Sequence, residues 1–309
     1  MQITVTAEYH GMPVRQFLRQ ELHLSSKMMK HLKFLSDGIT VNGNRVTVRY
    51  ALRTGDLLSL ADGDCESAPI RPVELPIGIL YEDSELVVPN KPANMPTHPS
   101  HDHYDDTVAN ALAFRYADSG QGFVFRPVNR LDRNTSGLLL IARNRIAAGR
   151  LAESMQRGEI RKTYLAVLDG ELCEDEGVID ACLHRTAKSI IVREVCSPDA
   201  PDADVAYTEY RTLARANGHT LVQARPLTGR THQLRVHFAH LGHPITGDDL
   251  YGTPSPDICR HALHAYSLSF PHPTTREKIF LTAPFPQDFS DLITRYFPNF
   301  RLEAERKQA

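Results

Sequence analysis

The sequence predicts an α+β protein built from two domains, and three observations support this prediction. The chain has 309 residues of ordinary globular composition, 41% hydrophobic and 23% charged, and about 150 residues per domain gives two domains. Predicted strands outnumber helices and mix with them irregularly, as in α+β folds rather than in repeated βαβ units. The local charge also reverses along the chain. Residues 14–60 contain eight basic and three acidic residues, a net charge of +5. Residues 61–90 contain one basic and seven acidic residues, a net charge of −6.

The charge reversal coincides with small residues and prolines between Ala61 and Pro76, which is typical of a linker. We therefore divide the chain into a small basic domain, a linker, a main domain and a C-terminal tail, with the ranges 1–65, 66–76, 77–290 and 291–309. The net charge of the whole chain is only −2, so overall charge does not indicate a nucleic-acid-binding protein. Only the first domain has the excess of positive charge that favours phosphate binding.

The first domain is predicted to begin with a strand within residues 1–10 and to continue with two helices and short strands. Apolar residues at helical spacing are Val14, Phe17, Leu18 and Leu22 in the first helix, and Met28, Met29, Leu32 and Leu35 in the second. Asn42-Gly43 is a hairpin-turn signal. The predicted strands are Ile39–Val41, a segment through Val46 and Val48, and Leu57–Leu60.

Basic residues of the first domain are predicted to form a phosphate-binding surface. Lys27, Lys30 and Lys33 recur at intervals of three along the second helix, and Arg45 and Arg49 follow on the strands. A solvated helix face is the simpler interpretation of such a charge run. Because these cations come from several elements with few acids between them, we favour phosphate contacts, with Lys27, Lys30 and Arg45 as the candidate residues.

The main domain is predicted to be rich in strands. The predicted strands are Ile77–Tyr81, Leu86–Val88, Gly137–Ala142, Thr163–Leu168 and Leu221–Ala224. Because Gly137–Ala142 is continuously apolar, we expect one unbroken strand buried on both faces. Asn144 is expected to cap a helix that runs to about Arg157, and Thr231–Leu241 is predicted to be helical from its apolar spacing.

A polar loop directly before the apolar run is the strongest candidate for a site. It places Asp132 between Arg130 and Arg133. Neighbouring arginines favour the charged form of a carboxylate, so we expect Asp132 to be ionised and suited to act as a nucleophile. Taken alone, an acid between two arginines is better explained as an ordinary salt bridge within a loop.

Several other classes of protein lose their usual sequence support. The chain lacks a phosphate-binding Gly-x-x-x-x-Gly-Lys loop, a Gly-x-Gly-x-x-Gly motif and a Gly-x-Ser-x-Gly elbow. Its five cysteines have no zinc or redox spacing, and histidines cluster at 98–103 and 232–243 without Cys or Glu partners. We therefore expect neither a metal nor an organic cofactor. Scattered cysteines fit a reducing cytoplasm, and no apolar run approaches the roughly 18 residues of a membrane span.

Four motifs in the main domain occur in the order found in one enzyme family. They are LYEDSELVVPNKPANMPTHPS at 80–100, NRLDRNTSGLLLIARN at 129–144, RKTYLAVLDG at 161–170, and PLTGRTHQLRVHFAHLGHPITGDDLYG at 226–252. In these motifs the chain resembles the RluA family of RNA pseudouridine synthases over roughly residues 77–286. Residues 37–60, DGITVNGNRVTVRYALRTGDLLSL, resemble the small αL RNA-binding module. The resemblance implies a mixed, mostly antiparallel catalytic domain preceded by such a module.

The resemblance also implies roles for individual residues. Asp132 takes the position of the catalytic aspartate, and Arg130 that of the arginine that fills the gap left by a flipped-out uridine. Tyr164 matches the tyrosine that packs on the flipped base, and Arg235 matches the arginine that pairs with the aspartate. Arg230 and Gln233 are expected to shape the same pocket.

Three asparagines depart from the family pattern: Asn129 replaces a histidine, Asn134 an aspartate, and Asn94 a glycine. Asn tolerates the left-handed backbone conformation, so we expect the turn at Asn94 to be retained.

The expected activity is isomerisation of uridine in structured RNA. Ribosomal RNA is favoured by the small basic domain, transfer RNA is the alternative, and a monomer is expected. One rival hypothesis is a non-catalytic RNA-binding or assembly factor on the same fold. A second rival, a two-carboxylate glycosidase, requires another acid near Asp132, and no motif supplies one.

Overall fold

The computed structural model describes residues 2–22, 24, 26–61, 70–117, 123–187, 189 and 191–301, with the backbone alone for residues 26–28 and 31. Residues 62–69 of the predicted linker region and the side chain of Lys27 lie outside this description. The helices are α1 (Val14–Gln20), α2 (Ser26–Phe34), α3 (Val108–Arg115), α4 (Arg145–Gln156), α5 (Gln233–His240) and α6 (Gln287–Tyr296).

The described strands fall into a four-stranded N-terminal sheet and, in the main domain, a large sheet and a separate hairpin. In the first sheet they are β1 (Gln2–Thr4), β2 (Ile39–Val41), β3 (Asn44–Arg45) and β4 (Leu57–Leu60). The remaining strands are β5 (Gly78–Glu82), β6 (Leu86–Lys91), β7 (Arg126–Pro127), β8 (Ser136–Leu138), β9 (Ile141–Ala142), β10 (Arg161–Asp169), β11 (Glu176–Asp180), β12 (Cys182–Arg185), β13 (Arg193–Cys196), β14 (Tyr207–Ala216), β15 (His219–Pro226), β16 (Leu263–Pro271) and β17 (Lys278–Thr282).

The large sheet confirms the predicted α+β class and its mostly antiparallel character. Its order is β11-β14-β15-β10-β16-β8-β6-β9-β7, with β17 on β16 and β5 on β6. Among the described strand pairs only β16–β8 is parallel. Near β6 the sheet is buried on both faces, because Val87 belongs to the hydrophobic cluster that contains α3, α5 and α6 side chains, whereas Leu86 and Val88 belong to the cluster of α4.

The N-terminal sheet, in the order β1-β4-β2-β3, packs with α1 and α2 around its own hydrophobic cluster. No side chain caps the start of α1, where Pro13 occupies the cap position. Instead, the amides of Val14 and Arg15 donate to the carbonyls of Tyr50 and Val48, at 2.8 Å each. The predicted strand through Val46 and Val48 is therefore wrong: β3 ends at Arg45, and part of the following segment satisfies the first amides of the helix.

α4 joins the N-terminal module, residues 2–61, to the main domain. The predicted cap is confirmed, since the Asn144 side chain accepts a hydrogen bond from the amide of Ala147. Ile146, one turn before Arg150, is buried in the core of the N-terminal module. The buried Arg150 guanidinium donates from Nε to the carbonyl of Leu22 at 3.1 Å and from Nη1 to Thr274 Oγ1 at 2.7 Å. Ile146 and Arg150 thus connect α4 to the N-terminal module, and Thr274 holds the Arg150 guanidinium from the main domain.

The predicted unbroken strand over Gly137–Ala142 is wrong, because it is divided into β8 and β9. Both segments pair with β6 in one continuous register, from Leu86 opposite Ala142 to Lys91 opposite Gly137. The interruption lies opposite Pro89, which has no N–H to donate to the ladder. The amide of Leu140 instead donates to the side chain of Asn129 at 2.8 Å.

The predicted tail from residue 291 needs correction, because the main domain continues beyond residue 290. α6 buries Phe289, Leu292 and Ile293 in the large hydrophobic cluster, and Phe297 follows them. The sequence of this segment is strongly amphipathic. A helix of this kind buries its apolar side when it packs against a sheet. The charged residues 302–309 lie outside the described part of the chain.

We expect Arg150→Ala to lower the free energy of unfolding by about 2–3 kcal/mol, because it removes charge-assisted hydrogen bonds from buried carbonyl groups. The matched control is Arg157→Ala at the end of the same helix, where an exposed ion pair with Glu153 is lost. That change should stay within about 0.5 kcal/mol. Urea unfolding of both variants measures the difference, and equal effects would show that Arg150 does not hold the domains together.

Candidate active site

The loop that carries Asp132 runs from β7 to β8 and is fixed on the N-terminal side of the aspartate by Thr97. Thr97 Oγ1 donates to the carbonyl of Leu131 at 2.8 Å and accepts from the amide of Leu131 at 3.3 Å. One hydroxyl therefore satisfies both backbone groups of the residue before Asp132. These two hydrogen bonds fix the backbone from which the Asp132 side chain extends.

Lys91 fixes the other side of Asp132. Its ammonium is fully buried and donates to the carbonyls of Pro92, Met95 and Arg133 at 2.8–2.9 Å. The amide of Met95 also donates to the carbonyl of Arg133, at 3.2 Å. Burial lowers the pKa of Lys91 to about 7, and the charge of Asp132 opposes this shift. Lys91 is thus a structural residue whose amino group holds the backbone of this loop.

Two buried histidines hold the end of the loop where it enters β8. Thr135 Oγ1 lies 2.8 Å from His261 Nε2, and Ser136 Oγ lies 2.9 Å from His264 Nδ1. Burial lowers the pKa of His264 to about 4 and that of His261 well below its ordinary value. Gly137 follows with a φ of +111°, and a Cβ there would collide with the carbonyl of Ala265. Only glycine allows β8 to approach β16 this closely.

Arg235 on α5 lies between two carboxylates. Its Nε and Nη2 atoms each donate to Asp248 at 2.7 Å, in a bidentate pair that is almost completely buried. The remaining nitrogen, Nη1, lies 3.6 Å from Oδ2 of Asp132. Burial opposes the charge of Arg235, but the hydrogen bonds to Asp248, together with the charges of Asp248 and Asp132, outweigh burial and raise its pKa. The pairing expected between Arg235 and Asp132 is therefore a close approach, and the strong pair is with Asp248.

His232 approaches Asp132 from the start of α5. Its Nε2 lies 4.0 Å from Asp132 Oδ2, and its Nδ1 lies 2.8 Å from the hydroxyl of Tyr251. Tyr251 in turn accepts a hydrogen bond from the amide of Arg193 and lies beneath the guanidinium of Arg235. Burial lowers the pKa of His232, which favours the neutral imidazole.

The backbone of His232 is left-handed, with a φ of 57°. The predicted helix start at Thr231 is therefore two residues too early, and α5 begins at Gln233. A left-handed histidine is uncommon, and strained residues of this kind are enriched at functional sites.

Asp132 is accessible, with 28% of its side chain exposed. Tyr164 on β10 is buried in the same hydrophobic cluster as Leu131, the residue before Asp132, and both burial and the charge of Asp132 raise its pKa. Arg130 is exposed, and its Nη2 lies 3.5 Å from Thr231 Oγ1. The structure therefore brings Arg130 and Asp132 to the start of α5, and it places Tyr164 in the hydrophobic cluster that also contains Leu131 of the same loop.

Arg230 and Gln233 contact other parts of the protein. Arg230 bonds the carbonyl of Val205 and lies 3.0 Å from Asp204. Gln233 is buried: its amide nitrogen donates to the carbonyl of Tyr207 and to Thr208 Oγ1, and its amide oxygen accepts from Thr228 Oγ1 and the amide of Arg230. The polar atoms of Gln233 therefore hold the loop before α5, and its part in shaping the pocket stays a prediction.

Lys30 and Arg45 are exposed on the N-terminal module, as a phosphate-binding surface requires. Nη2 of Arg45 donates to the carbonyl of Lys33 at 3.1 Å. Two family substitutions also have structural explanations. Asn94 adopts a φ of 61°, so the predicted left-handed turn is confirmed, and Asn129 caps the interrupted strand through the amide of Leu140.

Sequence reasoning missed Asp248 as the partner of Arg235. The segment GDDLYG contains two adjacent acids, and only the fold shows that Asp248 is fully buried while 68% of the Asp249 side chain is exposed. His232 was seen only as part of a histidine cluster bordering the site. Its unusual backbone conformation left no signal in the sequence.

A cavity of about 700 Å³ lies elsewhere in the main domain and contains none of the candidate residues. It is lined by Leu165, which points to the opposite face of β10 from Tyr164, and by residues 297–301. Within the described ranges there is no group of three or more His, Cys, Asp or Glu side chains that could hold a metal ion. None of the described helices is long and apolar enough to span a membrane.

Comparison with known proteins identifies the fold and the chemistry together. Residues 85–240 match the model of the RNA pseudouridylate synthase family, a range that contains Asp132, Tyr164 and Arg235. The chain belongs to the RNA pseudouridylate synthase family. Residues 1–58 match the RluD ribosomal pseudouridine synthase N-terminal domain. The protein is therefore an RNA pseudouridine synthase, as the resemblance implied.

Individual relatives of this pseudouridine synthase cover nearly the whole chain. The RNA pseudouridine synthase YjbO of Bacillus subtilis (strain 168) is 38% identical over 88% of this chain and 95% of its own length. The ribosomal large subunit pseudouridine synthase D of Zymomonas mobilis is 34% identical over 93% and 94%. The solved structure of human RNA Pseudouridylate Synthase Domain Containing 1 aligns with a TM-score of 0.57, at 28% identity, over 72% of this chain and 87% of that one.

Acidification should destabilise the protein through His264. The folded protein holds its pKa at about 4, below the ordinary value of 6.5, so the unfolded chain binds the proton first as the pH falls. This contribution to stability is complete above pH 6.5 and decreases by about 3 kcal/mol as the pH falls towards 4. His264→Gln should lose less stability on acidification in urea unfolding at several pH values. The exposed His101→Gln control should follow the wild type, and an unchanged profile in His264→Gln would refute the assignment.

Asp248→Asn should leave the buried charge of Arg235 without its carboxylate partner. We expect a loss of about 3–5 kcal/mol in unfolding free energy and a lower kcat, because Arg235 is no longer held beside Asp132. Asp249→Asn is the matched control one residue later, where the carboxylate is exposed and 3.7 Å from Arg235. It should change stability by less than about 0.5 kcal/mol. Similar effects of the two variants in unfolding and single-turnover assays would contradict the assignment of Asp248.

Proposed function

We propose that this synthase converts specific uridines of ribosomal RNA to pseudouridine, with Asp132 as the nucleophile. The observation that supports this most directly is the position of Asp132: a partly exposed carboxylate 3.6 Å from a guanidinium that a buried second carboxylate holds in place. The protein backbone on both sides of Asp132 is anchored by Thr97 and Lys91. Such a rigid support is what a nucleophile needs to meet its target in a productive geometry.

In the proposed reaction, the carboxylate of Asp132 attacks the target nucleoside, and the bond between N1 of uracil and C1′ of ribose breaks. The base rotates, a bond forms between C5 and C1′, the bond from Asp132 to the nucleoside breaks and restores the free carboxylate, the proton on C5 leaves, and N1 gains a proton. The product has the same atoms as the substrate, so no oxidant, reductant or co-substrate is consumed. Attack on the sugar and attack on the ring are both compatible with this arrangement. Arg235, 3.6 Å away, would favour the ionised form of Asp132 before the attack and after its release.

The target uridine has to leave its helix, because an aspartate cannot reach the sugar or ring atoms of a stacked base. We propose that Arg130 occupies the space vacated in the RNA and that Tyr164 packs against the flipped base. Two observations support these roles: Arg130 is exposed, and Tyr164 lies in the same hydrophobic cluster as Leu131, the residue before Asp132. Arg230 is proposed to contact RNA at the edge of the site, where 40% of its side chain is exposed.

Ribosomal RNA is favoured over transfer RNA as the substrate. The N-terminal domain is similar to that of a ribosomal pseudouridine synthase, and relatives such as that of Zymomonas mobilis are named as ribosomal large subunit enzymes. The exposed Lys30 and Arg45 would contact phosphates, together with Lys27. We propose that the protein acts as a monomer in the cytoplasm, where ribosomal RNA is available.

Asp132→Asn and Asp132→Ala are expected to abolish pseudouridine formation while RNA binding persists, because the nucleophile is lost and the binding surface is not. The test is pseudouridine mapping of total RNA from a strain that lacks the gene, complemented with each variant. Asp291→Asn on the surface of α6 is the control and should restore every site. An unchanged pseudouridine map in the deletion strain would support a non-catalytic assembly factor, and turnover by either Asp132 variant would refute the proposed mechanism.

A further inference from the structure

The second helix of the N-terminal module carries a phenylalanine that the hydrophobic core does not use. Met29 and Leu32 on this helix are buried, whereas Phe34 is 78% exposed, more than any other described large apolar side chain. At 100° per residue, Phe34 lies about 140° from Met29 and 160° from Leu32 around the helix. The ring therefore lies on the solvent-facing side of α2, opposite the side that packs in the core.

The surroundings of Phe34 are cationic. Lys30 lies one turn earlier on the same face, and both Lys30 and Lys33 are exposed. Arg45 reaches the end of the helix from the neighbouring strand, where Nη2 donates to the carbonyl of Lys33 at 3.1 Å. An aromatic ring is thus surrounded by positive charges from two elements.

Acidic side chains of the same segment do little to offset these charges. Asp56 is buried and accepts hydrogen bonds from the Asn42 side chain and the amide of Arg53. Glu21 accepts a hydrogen bond from the hydroxyl of Tyr9. Of the three acids between residues 14 and 60, Glu21 and Asp37 are exposed, and they are outnumbered by the exposed cations among the described side chains of this segment, which are Arg15, Arg19, Lys30, Lys33, Arg45, Arg49 and Arg53. The surface around Phe34 therefore attracts a polyanion.

We propose that Phe34 stacks on an unpaired base of the RNA substrate while Lys30, Lys33 and Arg45 contact the flanking phosphates. This inference rests on the proposed function, because it takes the N-terminal module to bind RNA. A single exposed ring among cations matches the chemistry of single-stranded RNA, in which bases stack on aromatic side chains beside a charged backbone. A protein partner would instead require a larger apolar area at the centre of its interface.

Because the N-terminal module is packed against the main domain, a base bound by Phe34 would affect which uridine reacts. Ile146 and Arg150 connect the module to the main domain that carries Asp132. An unpaired base held by Phe34 would therefore lie at a defined offset from the uridine that reacts. Phe34 would favour uridines that have a loop or bulge at that offset, in addition to contributing affinity.

The test is binding of the full-length protein to a single-stranded RNA of about 12 nucleotides that contains 2-aminopurine, and to a duplex of the same length. Phe34→Ala should weaken binding to the single strand about tenfold and abolish the quenching of 2-aminopurine fluorescence that stacking produces. Phe34→Tyr should retain both properties, whereas Phe34→Leu should lose them although it remains apolar. Phe114→Ala, which removes another exposed phenylalanine from α3, is the matched control and should bind like the wild type.

Salt dependence separates stacking from charge. Phe34→Ala should lower affinity at every salt concentration without changing the slope of log K against log salt, whereas Lys30→Gln should reduce that slope by about 0.7. Wild-type affinity of Phe34→Ala, or equal losses for single strand and duplex, would overturn the proposal. Loss of pseudouridine formation in Asp132→Asn is measured separately, so a failed stacking test leaves the catalytic proposal standing, and the reverse also holds.

Discussion

The pairing of Arg235 with Asp248 is the interaction on which the active site depends. A buried guanidinium is unfavourable without a carboxylate, and Asp248 supplies that carboxylate through two 2.7 Å hydrogen bonds. With those contacts satisfied, the third nitrogen of Arg235 remains directed at Asp132, 3.6 Å away. Asp132 can therefore keep a cation nearby and still remain accessible to substrate, because it does not have to neutralise that cation by itself.

Other residues of the main domain fix the position of Asp132 relative to the Arg235 guanidinium. Thr97, in the segment that follows β6, donates a hydrogen bond to the carbonyl of the residue before the aspartate, and Lys91, the last residue of β6, donates one to the carbonyl of the residue after it. Where the loop enters β8, the side chain of Thr135 pairs with His261 and that of Ser136 with His264. Burial lowers the pKa of both histidines, which favours their uncharged form. Because each of these groups is buried and partnered, moving the loop would break several hydrogen bonds at once. That constraint gives the loop the rigidity that a catalytic group requires.

Some features of the site were readable because they depend on local chemistry. Asn94 takes the left-handed conformation that its position demands, and Asn144 caps α4, as their residue types predict. Other features depended on distant residues. The apolar run at 137–142 is interrupted because Pro89, far away in sequence, lies opposite it, and Gln233 is structural because Thr208 and Tyr207 occupy its amide. No local pattern around either segment carries that information.

The sequence by itself determined the fold class, the enzyme family and the position of Asp132, because four ordered motifs and the alternation of apolar residues are properties of the chain alone. Tertiary structure decided which of two adjacent aspartates holds Arg235, how His232 faces Asp132, and that residues 291–297 belong to the core. It also left Phe34 on the surface among cations. The physical reason is common to all four: burial and ion pairing depend on which segments become neighbours in space, and composition and spacing do not specify those neighbours.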